Sequence, residues 1–123
     1  MLTFGELEGR IMRILWRRKA PASVREVHGE LTAETPLAYT TVMTVMERLW
    51  RKGVLERAPR GRAFEYSPVK SEAEHTAELM TEVLKGTRDR HAALAHFVRG
   101  LRGSDGNELL DLADKARRRR RAR

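Results

Sequence analysis

At Gly53 the apolar periodicity of this chain changes from about 3.6 residues to two, so helices give way to short strands at a defined point. Just before it, Val42, Val45, Met46 and Leu49 fall at i, i+3, i+4 and i+7, one apolar stripe of a helix in the stretch Tyr39–Gly53. The opposite side carries Thr40, Thr41, Thr44, Arg48 and Arg51. A threonine cap is expected at its start, and Lys52-Gly53 supply a cation and a stop at its end. Just after it, Val54–Ala58 and Arg62–Ser67 read as two strands joined by a Pro59-Arg60-Gly61 turn, with Phe64 and Tyr66 on one face.

Two further helices precede this stretch. Thr3-Phe4-Gly5-Glu6 has the spacing of a capping box and opens a helix that buries Leu7, Ile11, Ile14 and Leu15, ending near Arg17–Lys19 before Pro21. Ser23-Val24-Arg25-Glu26 is a second box, and its helix buries Val24, Val27 and Leu31. The turn Thr35-Pro36-Leu37-Ala38 then leads into the Tyr39 helix. Three helices followed by a hairpin with a basic tip make a winged helix-turn-helix, with Arg60 and Arg62 on the wing. The third helix is the one that enters a DNA groove in such folds. Threonine hydroxyls and methyls and arginine guanidiniums suit base edges and phosphates. An ordinary solvated helix face and an ordinary surface turn would carry the same residues.

Beyond Pro68 the chain reads as helical again. Ser71-Glu72-Ala73-Glu74 is a third capping box. The segment it starts ends at Gly86, a second segment carries Leu94, Phe97, Val98 and Leu101 and stops at Gly103, and a third starts near Ser104. Three such pieces are too small to close a core of their own. Residues 71–114 are therefore expected to form a dimerisation region that buries Met80, Leu84, Leu94, Phe97, Val98, Leu101, Leu109 and Leu112 against a second copy, the competing arrangement being a fold back onto the winged helix. The resulting fold class is mainly α with a small β-hairpin: a winged helix over residues 1–70, the helical dimerisation region, and a basic tail over 115–123 expected to be disordered.

Charge follows the same divisions. Residues 1–70 hold 13 Lys/Arg against 8 Asp/Glu, residues 71–114 hold 5 against 9, and residues 115–123 hold 7 against none. A basic front and tail suit a polyanion; the acidic middle does not. The tail would add sequence-independent attraction to phosphates, or serve only to keep the chain soluble.

The chemistry that is absent narrows the function. There is no cysteine, which excludes disulfides, thiol catalysis and cysteine metal sites. His28, His75, His91 and His96 lack ligand spacing, and His28 fits a half-buried structural position. Glu6, Glu26 and Glu74 are capping residues rather than paired catalytic carboxylates, and the glycines mark turns rather than a phosphate loop. No catalytic constellation, metal site or cofactor is expected. No apolar run approaches a membrane span, and Glu6 and Glu8 break the pattern of a signal peptide, so the expectation is a cytoplasmic protein without membrane insertion.

Ala38-Tyr39-Thr40-Thr41-Val42-Met43-Thr44-Val45-Met46-Glu47-Arg48-Leu49-Trp50-Arg51-Lys52-Gly53, together with Val24-Arg25-Glu26-Val27-His28 and Gly61-Arg62-Ala63-Phe64-Glu65-Tyr66-Ser67-Pro68, closely resembles the penicillinase-repressor (BlaI/MecI) family of winged-helix repressors. The similarity runs from about Thr3 to Leu112 and leaves out the basic tail. It implies a homodimer that binds a dyad-symmetric double-stranded DNA operator and blocks transcription, often of β-lactamase or other antibiotic- and stress-response genes. It also implies that Tyr39, Thr40, Thr41, Met43, Thr44 and Arg48 lie nearest DNA, with Arg51, Lys52 and the wing residues Arg60 and Arg62 nearer phosphates. Met43 stands where some members carry arginine, and an apolar contact with a thymine methyl is the expectation there. In members paired with a membrane sensor-protease, repression ends by cleavage at an Asn-Phe bond. The matching bond is His96-Phe97, with histidine in place of asparagine. Apart from the resemblance, a basic RNA- or chromosome-coating winged helix anchored by the arginine-rich tail fits the same charge pattern.

Overall fold

A computed structural model describes residues 4–122. The chain divides into two compact units between Met80 and Thr81. In the first unit the helices α1 (Glu6–Arg18), α2 (Val24–Thr32) and α3 (Tyr39–Arg51) surround one core, and the strands β1 (Ala22–Ser23), β2 (Leu55–Arg60) and β3 (Ala63–Pro68) form an antiparallel sheet in the order β1-β3-β2. The winged helix expected from the sequence is therefore present.

Its core is built from the stripes that periodicity identifies. Ile11, Ile14 and Leu15 of α1, Val24, Val27 and Leu31 of α2, and Val42, Val45, Met46 and Leu49 of α3 are all buried. Met12, Ala22, Leu55 and Tyr66 join them, while Leu7 is only partly covered at the margin. Ile11, Met12, Leu15, Met46 and Leu49 are almost fully excluded from solvent, and truncating any of these to alanine would cost ~2–5 kcal/mol.

Local signals set the element ends with some departures from expectation. Ser23 Oγ accepts the Glu26 N–H at 3.2 Å while the Glu26 carboxylate accepts the Ser23 N–H at 3.0 Å, a complete capping box. Ser71 and Glu74 form another. The box expected at Thr3 is not where α1 starts. Gly5 is the N-cap and its N–H donates to Glu8 at 3.0 Å, because Glu8 rather than Glu6 is three residues inside the helix; Thr3 lies outside the described residues. The threonine cap expected on α3 is likewise absent. Ala38 occupies the N-cap, and the link from α2 to α3 is longer than the expected four-residue turn, since α2 ends at Thr32. A 2.7 Å contact between His28 Nε2 and the Leu37 carbonyl braces that link.

The wing also differs in register. Gly61 and Arg62 alone form the turn, and Pro59 and Arg60 belong to β2, paired with Phe64 and Ala63. Gly61 has φ 62°, which suits a two-residue hairpin turn with glycine at its first central position. Pro59 is tolerated because β2 is an edge strand with a free side. The residues just before α2 supply β1, which pairs Ala22 and Ser23 with Tyr66 and Glu65. This third strand turns a marginal hairpin into a sheet.

The first unit extends past residue 70 into α4 (Glu72–Lys85). His75 stacks on Phe4 with ring centroids 4.5 Å apart, and Trp16 Nε1–H donates to the Lys70 carbonyl at 3.0 Å. These contacts carry the unit beyond the expected boundary. The second unit contains α5 (Arg90–Gly100) and α6 (Asp105–Arg121), with none of their residues buried. Helix α5 stops three residues before the Gly103 expected from the sequence, with Leu101 as its C-cap. The tail expected to be disordered is helical through Arg121. Arginine and alanine are good helix formers, no glycine or proline interrupts the run, and Asp105 and Glu108 at one end with arginines at the other complement the helix dipole. No helix among the described residues is long and apolar enough to cross a membrane.

The capping boxes make acid stability testable. The Ser23 N–H, with the Ser23 hydroxyl and Arg18 adding to it, holds the Glu26 carboxyl below the ordinary glutamate range; Gly5 and Lys52 do the same for Glu8. A depressed folded pKa contributes stability that is present above the unfolded value of ~4.3 and is lost as pH falls through the folded one. Glu26→Gln should therefore reduce the loss of stability between about pH 4.3 and the lower folded pKa in acid unfolding followed by circular dichroism. Ser23→Ala should cost ~0.5–2 kcal/mol at neutral pH in urea unfolding.

Candidate nucleic-acid interface

Helix α3 owes its exposed side to its buried one. With Val42, Val45, Met46 and Leu49 held in the core, the helical repeat turns Thr40, Thr41, Thr44, Arg48 and Arg51 outward, and all five are exposed. Tyr39 is exposed at the start of α3, set edge-on to His28 with ring centroids 5.7 Å apart. Met43 is half-buried and packs against the core margin, so only part of its side chain faces outward. Glu47 lies four residues after Met43 on the same side, a position that the sequence pattern does not single out. Its acceptor-only carboxylate repels phosphate and suits a cytosine amino group.

The structure separates the polar groups by how they are already engaged. Thr44 Oγ1 donates to the Thr40 carbonyl at 2.8 Å, which leaves its methyl and oxygen lone pairs for an external partner. Lys52 Nζ lies 3.1 Å from Glu8 Oε2, and Arg60 lies 3.3 Å from Glu65 Oε2. Both cations are exposed and exchange such partners readily, but their net positive field is reduced. Arg48, Arg51 and Arg62 make no ion pair among the described residues. Arg62 sits in the wing turn itself, at the hairpin tip. The unpaired cations thus flank the threonine-rich face from the α3 C-terminus and from the wing.

One arrangement is not foreshadowed by periodicity or spacing. The Arg57 guanidinium carbon lies 3.5 Å from the Trp50 ring centroid and 4.0 Å from that of Phe64, and Arg57 Nη1 donates to the Tyr66 hydroxyl at 3.2 Å. Each stacked ring contributes ~0.5–1 kcal/mol at a partly exposed site. Phe64 and Tyr66 do share a face of β3, as alternation requires. Tyr66 reaches the core, whereas Phe64, nearer the tip, is 40% exposed. Arg57 pairs directly with Tyr66 across the ladder. The only signal for this arrangement in the sequence is an arginine in β2 opposite two aromatics, and the approach of Trp50 from α3 is tertiary.

The predicted dimer residues are laid out differently. Met80, Leu94, Phe97, Val98, Leu109 and Leu112 are exposed, and Leu84 and Leu101 are half-buried. His96 and Phe97 are both exposed within α5. Among the described residues no His, Asp and Glu are grouped so as to hold a metal ion.

Comparison with known proteins agrees with this layout. Residues 4–115 match the penicillinase repressor family. The chain is 42% identical over 108 residues to the transcriptional regulator BlaI of Mycobacterium tuberculosis, covering 85% of this chain and 78% of that one. It is 26% identical over 121 residues to the penicillinase repressor of Bacillus licheniformis, covering 94% and 91%. The solved DNA-binding domain of the repressor BlaI superposes with a TM-score of 0.53 at 28% identity, covering 58% of this chain and 87% of that domain. The monomeric form of Bacillus licheniformis BlaI in complex with the blaP half-operator gives a TM-score of 0.50 at the same identity and coverage. This chain therefore belongs to the penicillinase repressor family, a family of DNA-binding transcription repressors rather than enzymes.

Proposed function

We propose that this repressor binds a dyad-symmetric operator as a homodimer and blocks transcription, with α3 in the major groove and the wing on the flanking backbone. The observation that carries the reading is the exposed Thr40, Thr41, Thr44, Arg48 face on a helix whose other side is fully committed to the core. Thr40, Thr41, Thr44 and the outward part of Met43 read bases, with Tyr39 at the edge; Arg48, Arg51 and Arg62 set the position on phosphates. Lys52 and Arg60 join them by exchanging Glu8 and Glu65 for phosphate. A solved complex of a relative with a half-operator supports the placement of the domain on DNA. The regulated genes are those of β-lactamase or of another antibiotic or stress response.

The apolar residues exposed on the second unit support the homodimer. Val83, Leu94, Phe97, Val98, Leu110 and Leu112 are each 45% or more exposed in the single chain, apolar side chains that a second copy would cover. Release by a membrane sensor-protease would proceed at His96-Phe97. That bond lies inside α5, so the helix must open locally before it is cut.

A second reading comes from the basic end of α6. Residues 117–121 are five consecutive arginines beyond the family match, and a chromosome- or RNA-coating protein would use them as its anchor. Deleting residues 117–123 separates the two. Operator footprints should survive, with the log–log salt slope becoming shallower by ~0.9 for each phosphate that the deletion leaves unneutralised. Loss of operator binding altogether would favour the coating protein.

Two substitutions test the assignments within the main reading. Thr44→Ala should reduce discrimination between operator and random DNA by ~1–3 kcal/mol in competition gel shifts, whereas Arg62→Ala should weaken both alike. Equal losses of discrimination from the two would overturn the division between base reading and phosphate contact. Phe97→Asp should shift sedimentation toward the monomer and weaken operator binding, because it places a charge in the proposed apolar interface. An unchanged sedimentation mass would show that the interface lies elsewhere.

A further inference from the structure

The wing of this protein meets the recognition helix through a cation held between two rings. Trp50 projects from the last turn of α3, Phe64 from β3, and the Arg57 guanidinium of β2 lies between them, 3.5 and 4.0 Å from their centroids. A single N–H of Arg57 is directed at the Tyr66 hydroxyl, whose ring is buried in the core. Trp50 lies seven residues after Met43, on the same stripe at the flank of the reading face. The stack therefore links the edge of the surface that meets bases to the two strands that present Arg60 and Arg62.

We propose that Arg57 is a positioning residue for DNA binding: stacked between Trp50 and Phe64, it sets the angle of the wing against α3 so that both reach one stretch of duplex. The inference rests on the DNA-binding reading above. Three features favour this role over a direct phosphate contact. The guanidinium carbon lies within 4.0 Å of the centroids of both the Trp50 and Phe64 rings, and Nη1 already has an acceptor. Strand β2 is an edge strand with Pro59 in it, so among the described residues no further strand pairs with its free side. The connection back to α3 turns at Gly53 (φ 82°) and is held by backbone bonds from Gly53 N–H to Trp50 and from Val54 N–H to Leu49, which anchor the base of β2 but not its outer half. A planar cation over two rings supplies a side-chain restraint between α3 and the outer half of the wing. Lysine, a compact point charge, would keep the charge and lose the stack.

The test is Arg57→Lys in the full chain, with Arg57→Gln and Phe64→Leu alongside. Operator affinity, its salt slope, thermal stability and the hydroxyl-radical footprint are read for each, with unsubstituted protein in parallel. Arg57→Lys should retain a cooperative melt yet lose on the order of tenfold in operator affinity, with an unchanged salt slope. Backbone protection at the flanks should fade while protection at the major-groove centre persists, and the Trp50 indole resonance should move. Phe64→Leu should reproduce the pattern without touching a charge, which keeps the proposal testable where an Arg57 variant fails to fold. Wild-type affinity and footprint in Arg57→Lys would overturn it. So would a slope reduced by about one in Arg57→Gln and restored by lysine, since that marks a phosphate contact. Absence of operator binding by the unsubstituted protein would instead remove the DNA-binding reading on which the proposal stands.

Discussion

Burial of one stripe of α3 is the constraint on which the rest of the molecule depends. Val42, Val45, Met46 and Leu49 meet the stripes of α1 and α2 in one buried cluster. That single packing event fixes the rotation of α3 about its axis. Rotation decides which side chains face outward, and here they are threonines and arginines. The division between holding and reading proposed for this helix is thus one fact seen from two sides: a residue committed to the core cannot reach a groove, and one turned outward adds little to stability. Met43 and Trp50 fall on the boundary, one at the core margin and one in the stack with Arg57.

The charged groups show a second layer of organisation that net charge conceals. The chain carries +8 overall, yet many cations near the winged helix have local carboxylate partners. Arg18 bridges Glu26 and Glu30, Lys52 meets Glu8, and Arg60 meets Glu65. Such surface pairs add little stability in water. Their larger effect is on the field: they offset part of the positive charge at Arg18, Lys52 and Arg60, while Arg48, Arg51 and Arg62 keep theirs without an ion pair among the described residues.

Much of this is legible in the residues because the fold relies on local patterns. All four stripe residues of α3, the Ser23 and Ser71 capping boxes and the stop at Gly53 follow from spacing alone, since a 3.6-residue repeat and an i, i+3 cap depend only on near neighbours. What escapes is non-local or a matter of competition between similar signals. Ala22-Ser23 has no strand signature of its own and becomes one only because β3 lies beside it. Gly5 and Glu8 displace the expected Thr3–Glu6 frame at the start of α1, because two overlapping frames offer a glutamate at the third position. The arginine run has the composition of a tail because like charges repel, but helix propensity and a favourable dipole outweigh that repulsion in α6.

The sequence by itself determined the family, the order of helices and strands, and which face of α3 is turned to solvent, because these follow from periodicity and from a motif that is specific in combination. Tertiary structure alone decided which cations remain unpaired and that Arg57 lies against Trp50 and Phe64 rather than in solvent. The physical reason is range. A helical stripe is set by residues a few positions apart, whereas a salt bridge from Lys52 to Glu8 or a stack from α3 to β3 joins groups that only the closed core brings within reach.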